Sequence, residues 1–345
     1  IDLSSLTCVE DFTIEGNNIS EETHYDLLVQ LTCASEDSLI VFRDDDADDY
    51  CSAGDPEVEN LYINALGSDP IDLSCIETVT GYLEIENSLA PSIDLSGLKS
   101  VADEVYIHDN DDLESIDLSA LEIVESYLYI TSNDELLSID LSGLQTMEDQ
   151  LYVYDNDNME TLDLSSLNTT EGSLEINNND VLEEVEFPSL TEIDGSLYIY
   201  SNSDMESIDL SGLTEVSSQI YIESNDVLET LDFSALVEAS SSINISYNYQ
   251  LESIDFRSME SVGSSFYIYY NTDMTSIDLS SLKEIDGNIT FQYNDAIEDL
   301  DFPELLEVNS SISIAYNDSM LSFSAAQLAS LASSLTIRDN SDLND

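Results

Sequence analysis

Carboxylates are the side chains with which this protein could do most of its chemistry. Its 345 residues include 75 Asp and Glu but only five Lys and Arg, which gives a formal net charge of −70. Carboxylate oxygens bind hard cations, and positioned carboxyl groups act as general acids and bases. Nucleic acid and anionic membranes are excluded as partners, because a surface of this charge would repel both.

Many of the acidic residues recur at a fixed interval of 22 or 23 residues. The series is Asp72, Asp94, Asp117, Asp140, Asp163, Glu186, Asp209, Asp232, Asp255, Asp278 and Asp301. If the segments that carry them stack in register, neighbouring carboxylates lie roughly 5 Å apart. Each pair then repels by about 1 kcal/mol in bulk water and by about 3–4 kcal/mol at an effective dielectric constant of 20. Salt, divalent cations, acidic pH or a covering partner would offset this repulsion.

Two interpretations of the acidic series remain open. It forms either a solvated surface suited to high salt or a set of calcium ligands, with Asp117, Asp140 and Asp163 as candidates. A flat column offers each ion few of the roughly six to eight oxygens that Ca²⁺ takes. Under either interpretation, we expect crowding to raise the carboxylate pKa values in the folded state, so that stability falls as the pH rises.

A loop near the N-terminus is a separate candidate for cation binding. It contains Asp44, Asp46 and Asp48 but lacks the Gly and the bidentate Glu of an EF-hand loop. The sequence therefore indicates no required cofactor, and Ca²⁺ or another cation is the ligand that its carboxylates would take.

Tyrosines form a second regular series, at outward positions of a predicted strand. Tyr offers a flat apolar ring with a polar tip, so such a column either packs across neighbouring strands or forms a recognition face. The predicted partners are carbohydrate or protein of a cell surface, or other copies of this chain. The face comprises Tyr106, Tyr129, Tyr152, Tyr198, Tyr221 and Tyr267, with Tyr154, Tyr200 and Tyr269 two residues later. Farther along, Tyr moves to the position before a recurrent Asn, at Tyr247, Tyr270, Tyr293 and Tyr316.

Asparagine recurs every 23 residues along most of the chain. The series is Asn87, Asn110, Asn133, Asn156, Asn179, Asn202, Asn225, Asn248, Asn271, Asn294, Asn317 and Asn340. We expect a buried ladder inside a bend, in which the side-chain amides bond one another and the backbone groups that the turn leaves open.

Residues 116–138 show which elements must position these side chains. Two stretches alternate apolar and polar residues, which predicts two short strands in each repeat. A unit of this length buries its apolar residues only against its neighbours. We therefore predict an all-β fold, a parallel β-solenoid of about twelve coils of 22–23 residues. The expected core positions of the template coil are Ile116, Leu118, Leu121, Val124, Leu128, Ile130 and Leu136.

Both ends depart from the repeat. We divide the chain into an N-terminal capping region (1–70), a regular solenoid (71–322) and a last coil with a short capping helix (323–345). The period is absent from 18 to 60, where Ser20 is suited to N-cap a short helix. At the other end, helix formers at Ser324–Ala329 replace the usual Asp-Leu-Ser stretch and predict a covering helix. We also expect the chain to be a processed product or a fragment, because it begins at Ile1.

All four cysteines, Cys8, Cys33, Cys51 and Cys75, lie in or near the capping region. An even set confined to one end predicts two disulfides formed in an oxidising compartment. Three connectivities are open, and proximity in sequence favours Cys8–Cys33 with Cys51–Cys75. A metal site is the alternative, although no Cys-x-x-Cys spacing is present.

The segment from Phe187 to Ile199, FPSLTEIDGSLYI, resembles the repeat of receptor L domains and of similar fungal cell-wall glycoproteins. It also overlaps the leucine-rich repeat consensus but has a second strand where many such repeats have a helix. The resemblance covers about residues 61–345 and implies an L-domain-type β-solenoid. It further implies a non-enzymatic role at the cell surface in adhesion, wall integrity or ligand binding.

We accordingly expect an extracellular structural or adhesion protein that could self-assemble. A ligand-binding receptor ectodomain is the alternative, and a polysaccharide-acting β-helix enzyme is a third class. An enzyme is disfavoured because His24 and His108 stand alone and the constant period leaves no inserted loop to shape a cleft. No stretch is long and apolar enough to span a membrane. Candidate glycosylation sites are Asn18, Asn168, Asn244, Asn288 and Asn309, whereas Asn317 belongs to the expected buried series.

Overall fold

The computed structural model describes residues 39–41, 51, 56–65 and 67–343. Several sequence predictions fall outside these residues: the helix expected near Ser20, the Cys8–Cys33 disulfide, the Asp44, Asp46 and Asp48 loop, and the Asn18 sequon. Within the described residues the chain forms about twelve turns of a parallel β-solenoid, which confirms the predicted fold class.

Three parallel sheets run along the solenoid, because each coil contributes one strand to each of them. The largest, called the long sheet here, has 14 strands. Its strands are Leu39–Val41, Leu61–Ile63, Leu83–Glu86, Val105–His108, Leu128–Thr131, Leu151–Tyr154, Leu174–Asn177, Leu197–Tyr200, Ile220–Glu223, Ile243–Ser246, Phe266–Tyr269, Ile289–Gln292, Ile312–Ala315 and Leu335–Arg338.

The second sheet, called the acidic sheet, has ten strands, and a two-stranded pair follows it. Its strands are Ile71–Asp72, Ser92–Asp94, Ser115–Asp117, Ser138–Asp140, Thr161–Asp163, Glu184–Glu186, Ser207–Asp209, Thr230–Asp232, Ser253–Asp255 and Ser276–Asp278, and the pair is Asp299–Asp301 with Ser322–Ser324.

The third sheet has 13 strands of two residues each. They are Glu57–Val58, Thr78–Val79, Ser100–Val101, Ile123–Val124, Thr146–Met147, Thr169–Thr170, Glu192–Ile193, Glu215–Val216, Glu238–Ala239, Ser261–Val262, Glu284–Ile285, Glu307–Val308 and Ser330–Leu331. The sequence pattern predicted two strands per coil and missed this one, because two residues are too few to show an alternation.

The core is a continuous file of apolar side chains inside the coils. All seven core positions expected in the template coil are at most 2% exposed. Burying an aliphatic side chain of this size stabilises the fold by about 1.5–3 kcal/mol. Each coil can realise that gain only if its neighbours cover it, so the strand register and the core are set together.

The C-terminal coil follows the repeat and contains no helix among its described residues, so the helix predicted at Ser324–Ala329 is wrong. Ala325 and Leu328 occupy the positions of Leu118 and Leu121, and the Leu328 amide donates to the Ala325 carbonyl at 3.1 Å. Strand pairing with the preceding coil thus overrides the helix propensity of the alanines. Leu335 and Ile337, at core positions of this coil, are 50% and 38% exposed because no described segment covers them.

A disulfide joins Cys51 to Cys75 near the N-terminal end of the solenoid. The sulfur–sulfur distance is 2.01 Å and the Cα atoms lie 5.6 Å apart. The structure thereby confirms this half of the predicted cysteine pairing. A covalent bridge over 24 residues limits the conformations of the unfolded chain and so stabilises the first coils.

Among the described residues, no helix is both long and apolar enough to cross a membrane.

Candidate functional site

The recurrent asparagines form a hydrogen-bonded column inside the bend that follows each strand of the long sheet. Asn202 is representative, since its Nδ2 donates to the Ile176 carbonyl at 3.0 Å and to Asn225 Oδ1 at 3.2 Å. The Asn202 backbone amide also donates to Asn225 Oδ1, at 3.2 Å. The side chains from Asn110 to Asn317 are fully buried, and Asn340 is 9% exposed. Their role is structural, because each side chain donates to a buried strand carbonyl and accepts from a buried backbone amide in the bend of the preceding coil, as Asn202 does with Ile176 and Asn179.

Asn87 does not belong to this column, so its assignment from the 23-residue spacing is wrong. The coil that joins Leu83 to its partner Val105 has 22 residues, and the column position is therefore Ser88. Ser88 is buried, and its amide donates to Asn110 Oδ1 at 2.9 Å. Asn87 lies one position earlier, where the backbone is left-handed with φ of 48°.

The acidic series forms a column of carboxylates at the outward edge of the acidic sheet. Asp117 pairs in register with Asp94 and with Asp140. In most coils the carboxylate also accepts a hydrogen bond from the backbone amide two residues later, as from Ser119 to Asp117 Oδ1 at 3.0 Å. This Asx turn gives the Asp residues that form it the same orientation, so the spacing of their carboxylates follows the spacing of the strands.

In two coils the residue two positions after the carboxylate is proline, which has no backbone N–H to donate to the turn. These are Pro188, after Glu186, and Pro303, after Asp301. The turn cannot form there, so in the coil of Pro188 the longer Glu is used without loss of a hydrogen bond. The sequence shows which coils can form the turn, because most have Asp-x-Ser at this position and the coil of Pro188 has Glu-Phe-Pro.

The hydrogen bonds of these turns oppose the pKa change that crowding was expected to cause. At Asp72, bonds from the Ser74 hydroxyl at 2.7 Å and the Ser74 amide at 3.0 Å lower the pKa below its ordinary value. At Asp255, hydrogen bonds from the Arg257 side chain lower the pKa. The expected upward shift is therefore wrong for these two carboxylates, because the local hydrogen-bond donors outweigh the opposing effect of burial.

Replacing Arg257 by Ala should raise the pKa of Asp255 towards its ordinary value. A carboxylate with a lowered folded-state pKa stabilises the fold above its unfolded pKa, and that contribution disappears as the pH falls through the folded value. The variant should therefore be less stable than the parent at neutral pH, and this difference should disappear as the pH falls through the folded-state pKa of Asp255. Carboxyl ¹³C titration of Asp-labelled protein would measure the shift. Arg338→Ala, which removes another exposed Arg, should leave Asp255 unchanged.

Tyrosines lie on the outward side of the long sheet, and this surface is called the tyrosine face here. At its N-terminal part, Tyr129 stacks on Tyr106 and Tyr152, with ring centroids 5.1 and 4.7 Å apart and interplanar angles of 6° and 14°. Burial, followed by the neighbouring tyrosines, raises the pKa of Tyr129 to about 12. Because Tyr129 is stacked between the other two rings, this part of the series serves cross-strand packing.

The centre of the tyrosine face has a different geometry. Tyr221 is tilted by 58° to Tyr198 and lies edge-on to Tyr200 at 85°. The Tyr200 hydroxyl donates to Glu175 Oε1 at 2.8 Å, and the Tyr221 hydroxyl donates to Glu223. Burial and then the Glu175 bond raise the pKa of Tyr200 to about 12, so this hydroxyl keeps its proton. These five residues, called the central cluster, combine rings that do not stack face to face with fixed carboxylates.

A third group of tyrosines occupies the left-handed position before the Asn column. Tyr247, Tyr270, Tyr293 and Tyr316 have φ between 56° and 59°, where a bulky side chain is disfavoured. Their rings stack successively at 4.7, 4.3 and 4.7 Å, and the Arg338 guanidinium lies 4.6 Å from the Tyr316 ring centroid. The stacking offsets the backbone cost, which explains why Tyr recurs at a position that Asp, Asn or Ser fills elsewhere.

Beyond the central cluster, Tyr267 and Tyr269 continue the face, whereas Tyr154 pairs in register with Asn177. Thus the structure brings all nine tyrosines of the series onto one sheet, but their rings stack face to face only in the part from Tyr106 to Tyr152. Spacing alone could not show this, since it fixes the column and not the ring angles.

His108 does not stand alone, as the sequence analysis supposed. Its Nε2 lies 3.5 Å from Glu84 Oε1, and its Nδ1 lies 2.9 Å from Asp109 Oδ2. The Glu84 bond raises the pKa of His108 to about 9 against the opposing effect of burial. The sequence signal was the 22-residue coil, which places Glu86 directly beside His108.

The candidate glycosylation sites differ in accessibility. Asn168 and Asn309 are exposed, Asn288 is half-buried and accepts hydrogen bonds from Ser310 and Ser311, and Asn317 is fully buried. Asn244 lies between Tyr221 and Tyr267 with its Oδ1 buried and without a hydrogen-bond partner. Among the candidate sites in the described part of the chain, Asn168 and Asn309 are therefore the ones that a glycan could reach most readily.

No family model matches the chain, and no curated protein is significantly similar to it. Among solved structures, it is similar to a leucine-rich repeat protein from Bacteroides ovatus, with 14% sequence identity and a TM-score of 0.33 over 80% of this chain and 85% of that one. The class of protein is defined by the strand pairing itself, as a parallel β-solenoid built from 22–23-residue repeats.

Proposed function

We propose that this protein is an extracellular, non-enzymatic structural and adhesion protein that binds cell-surface carbohydrate through the central cluster. The observation that carries the proposal is the change in ring geometry along the tyrosine face. The rings of Tyr106, Tyr129 and Tyr152 cover one another, whereas Tyr198 and Tyr221 are tilted by 58°.

The central cluster offers the chemistry that a sugar needs. An aromatic ring packs against the apolar face of a pyranose, and carboxylates accept hydrogen bonds from its hydroxyls. Glu175 and Glu223 are held beside the rings by the hydroxyls of Tyr200 and Tyr221. Because both the cluster and the whole chain are negatively charged, neutral or cationic glycans are favoured over acidic ones.

Two further features support a role outside the cell. The Cys51–Cys75 bridge is of the kind that persists in oxidising compartments. The carboxylate column is crowded. Extracellular modules bind calcium with dissociation constants of about 10⁻⁴–10⁻³ M, and calcium in that range would reduce the repulsion between the carboxylates. Under this proposal the acidic sheet requires cations for stability, and the solenoid supports adhesion or wall structure, including assembly with other copies of itself.

Glycan binding tests the proposal directly. Wild-type chain and a Tyr198→Ser/Tyr200→Ser/Tyr221→Ser variant would be applied to an array of neutral, amino and acidic glycans in buffer containing NaCl and CaCl₂. We expect the wild type to bind neutral or amino glycans, and the variant to bind them at least about tenfold more weakly, which corresponds to about 1.4 kcal/mol.

The matched control replaces the stacked rings by Tyr106→Ser/Tyr129→Ser/Tyr152→Ser. This variant also loses three tyrosine side chains from the same sheet, and it should retain glycan binding. Equal loss in both variants, or no glycan bound by the wild type, would contradict the proposal. Release of sugar fragments from bound glycans would contradict its non-enzymatic part.

A further inference from the structure

Three potential metal ligands meet at the N-terminal part of the long sheet. Glu84 and Glu86 lie on strand Leu83–Glu86, and His108 lies on the neighbouring strand Val105–His108. One ligand atom from each residue lies within 4.8 Å of the other two. All three are partly buried, so their side chains are more restricted than those of surface residues.

The imidazole of His108 is oriented for coordination. Its Nδ1 lies 2.9 Å from Asp109 Oδ2, and a carboxylate can only accept, so Nδ1 carries the hydrogen of the neutral ring. Nε2 faces Glu84 Oε1 at 3.5 Å, and a metal ion that binds between these two atoms would displace the proton from Nε2. A carboxylate on the far nitrogen is the partner that metal-bound histidines usually have, since it fixes both tautomer and ring orientation.

Glu86 is held in place by neighbouring side chains. The Tyr62 hydroxyl donates to Glu86 Oε1, and Asn87 Nδ2 donates to Glu86 Oε2 at 3.0 Å. Asn64 Nδ2 in turn donates to the Tyr62 hydroxyl at 3.2 Å. Each carboxylate oxygen has more than one lone pair, so these bonds leave Glu86 able to bind a cation.

The ligand set selects a class of metal. Ca²⁺ and Mg²⁺ take oxygen ligands, whereas Zn²⁺ combines imidazole nitrogen with carboxylate oxygen at about 2.0–2.2 Å. Ligands at such distances in a tetrahedral site lie roughly 3.4 Å apart, close to the Glu84–His108 separation of 3.5 Å. We propose that Glu84, Glu86 and His108 bind a divalent transition-metal ion of the Zn²⁺ class, with water completing the coordination.

The repeat restricts this site to one coil. The position of His108 is filled by Thr131 and Tyr154 in the next two coils, and the central cluster has carboxylates but no imidazole. His108 is the only histidine in the part of the chain that the structure describes. We therefore expect one tight transition-metal ion in the described solenoid, distinct from weak cation binding along the acidic sheet.

Zinc titration of the full chain tests this inference. Isothermal titration calorimetry with ZnCl₂ would be performed in buffer that contains CaCl₂ and NaCl. The calcium competes for weak sites on the acidic sheet, and the NaCl screens its charge. Wild-type chain should bind one Zn²⁺ with a distinct tight phase, and His108→Gln should abolish that phase. Asp109→Asn should weaken it by about 10–100-fold, since Asn tolerates the left-handed backbone there and only the carboxylate that bonds His108 Nδ1 is changed.

Two controls keep the result interpretable. Asp117→Asn removes a carboxylate from the acidic sheet and should leave the tight phase unchanged, and circular dichroism would show that His108→Gln is folded. Co²⁺ in place of Zn²⁺ should give visible absorption bands of a four- or five-coordinate site. An unchanged tight phase in folded His108→Gln, or its absence from the wild type, would overturn the proposal.

Discussion

Replacing Asn202 by Ala is expected to destabilise the protein by about 3–5 kcal/mol. Asn202 lies in the middle of the buried column, and its side chain serves several groups at once. Its loss leaves the Ile176 carbonyl without the 3.0 Å bond from Nδ2. It also deprives the backbone amide and Nδ2 of Asn179 of their acceptor, Oδ1 of Asn202, at 3.1 and 3.3 Å. Each buried polar group left without a partner costs about 1–3 kcal/mol.

Urea unfolding followed by circular dichroism would measure this loss. Asn340→Ala removes the same type of side chain at the end of the column, where the residue is 9% exposed and water can replace its bonds. We expect the terminal variant to lose less than half as much stability as the central one. Because solenoid stability is nearly a sum over neighbouring repeats, the central variant should also show a broader transition. Equal costs at the two positions would refute the structural role assigned to the buried column.

Neutralising the middle of the carboxylate column is expected to stabilise the protein at low salt. The variant Asp117→Asn/Asp140→Asn/Asp163→Asn removes the repulsion between four pairs of neighbouring carboxylates. The pairs are Asp94–Asp117, Asp117–Asp140, Asp140–Asp163 and Asp163–Glu186. At about 1 kcal/mol for each contact in bulk water, the gain is about 4 kcal/mol. Asn keeps the Oδ1 that accepts the turn hydrogen bond, so the backbone geometry is retained.

The salt dependence of that gain separates repulsion from other effects. At 1 M NaCl the Debye length is about 3 Å, shorter than the spacing of the carboxylates, and the difference between variant and wild type should largely vanish. The corresponding Asp→Ala triple variant loses the turn bonds as well as the charges and should be less stable than the Asn variant at every salt concentration. Thermal unfolding in 10 mM and 1 M NaCl would measure both differences. A gain that persists at high salt, or no gain at low salt, would show that the column does not repel as inferred.

The repeat made most of the architecture predictable, because one unit copied many times shows its core by periodicity. The inward residues of the template coil, such as Leu118 and Leu128, were all identified in this way. The helix expected at Ser324–Ala329 was wrong because local propensity is weaker than pairing with the preceding coil. The Asn87 assignment failed for a related reason, since one 22-residue coil shifts the register and only the strand pairing reveals it.

The chemistry of the surface was less predictable. Spacing placed the tyrosines in columns, but the angle between Tyr198 and Tyr221 depends on packing with their neighbours. The carboxylate column was foreseen, whereas the amide of Ser74 that lowers the pKa of Asp72 was not. His108 was taken for an isolated surface residue because its partners Glu84 and Glu86 come from another coil.

The amino-acid sequence by itself determined the parallel solenoid, the identity of its buried residues and the columns that its side chains form. Those properties follow from the period, since stacking identical units places identical residues one above another. The tertiary structure alone decided the ring orientations, the hydrogen bonds to each carboxylate and the meeting of His108 with two glutamates. These properties depend on distances of a few ångströms between side chains of adjacent coils. The repeat length specifies which residues are neighbours, but it does not specify where their side-chain atoms lie.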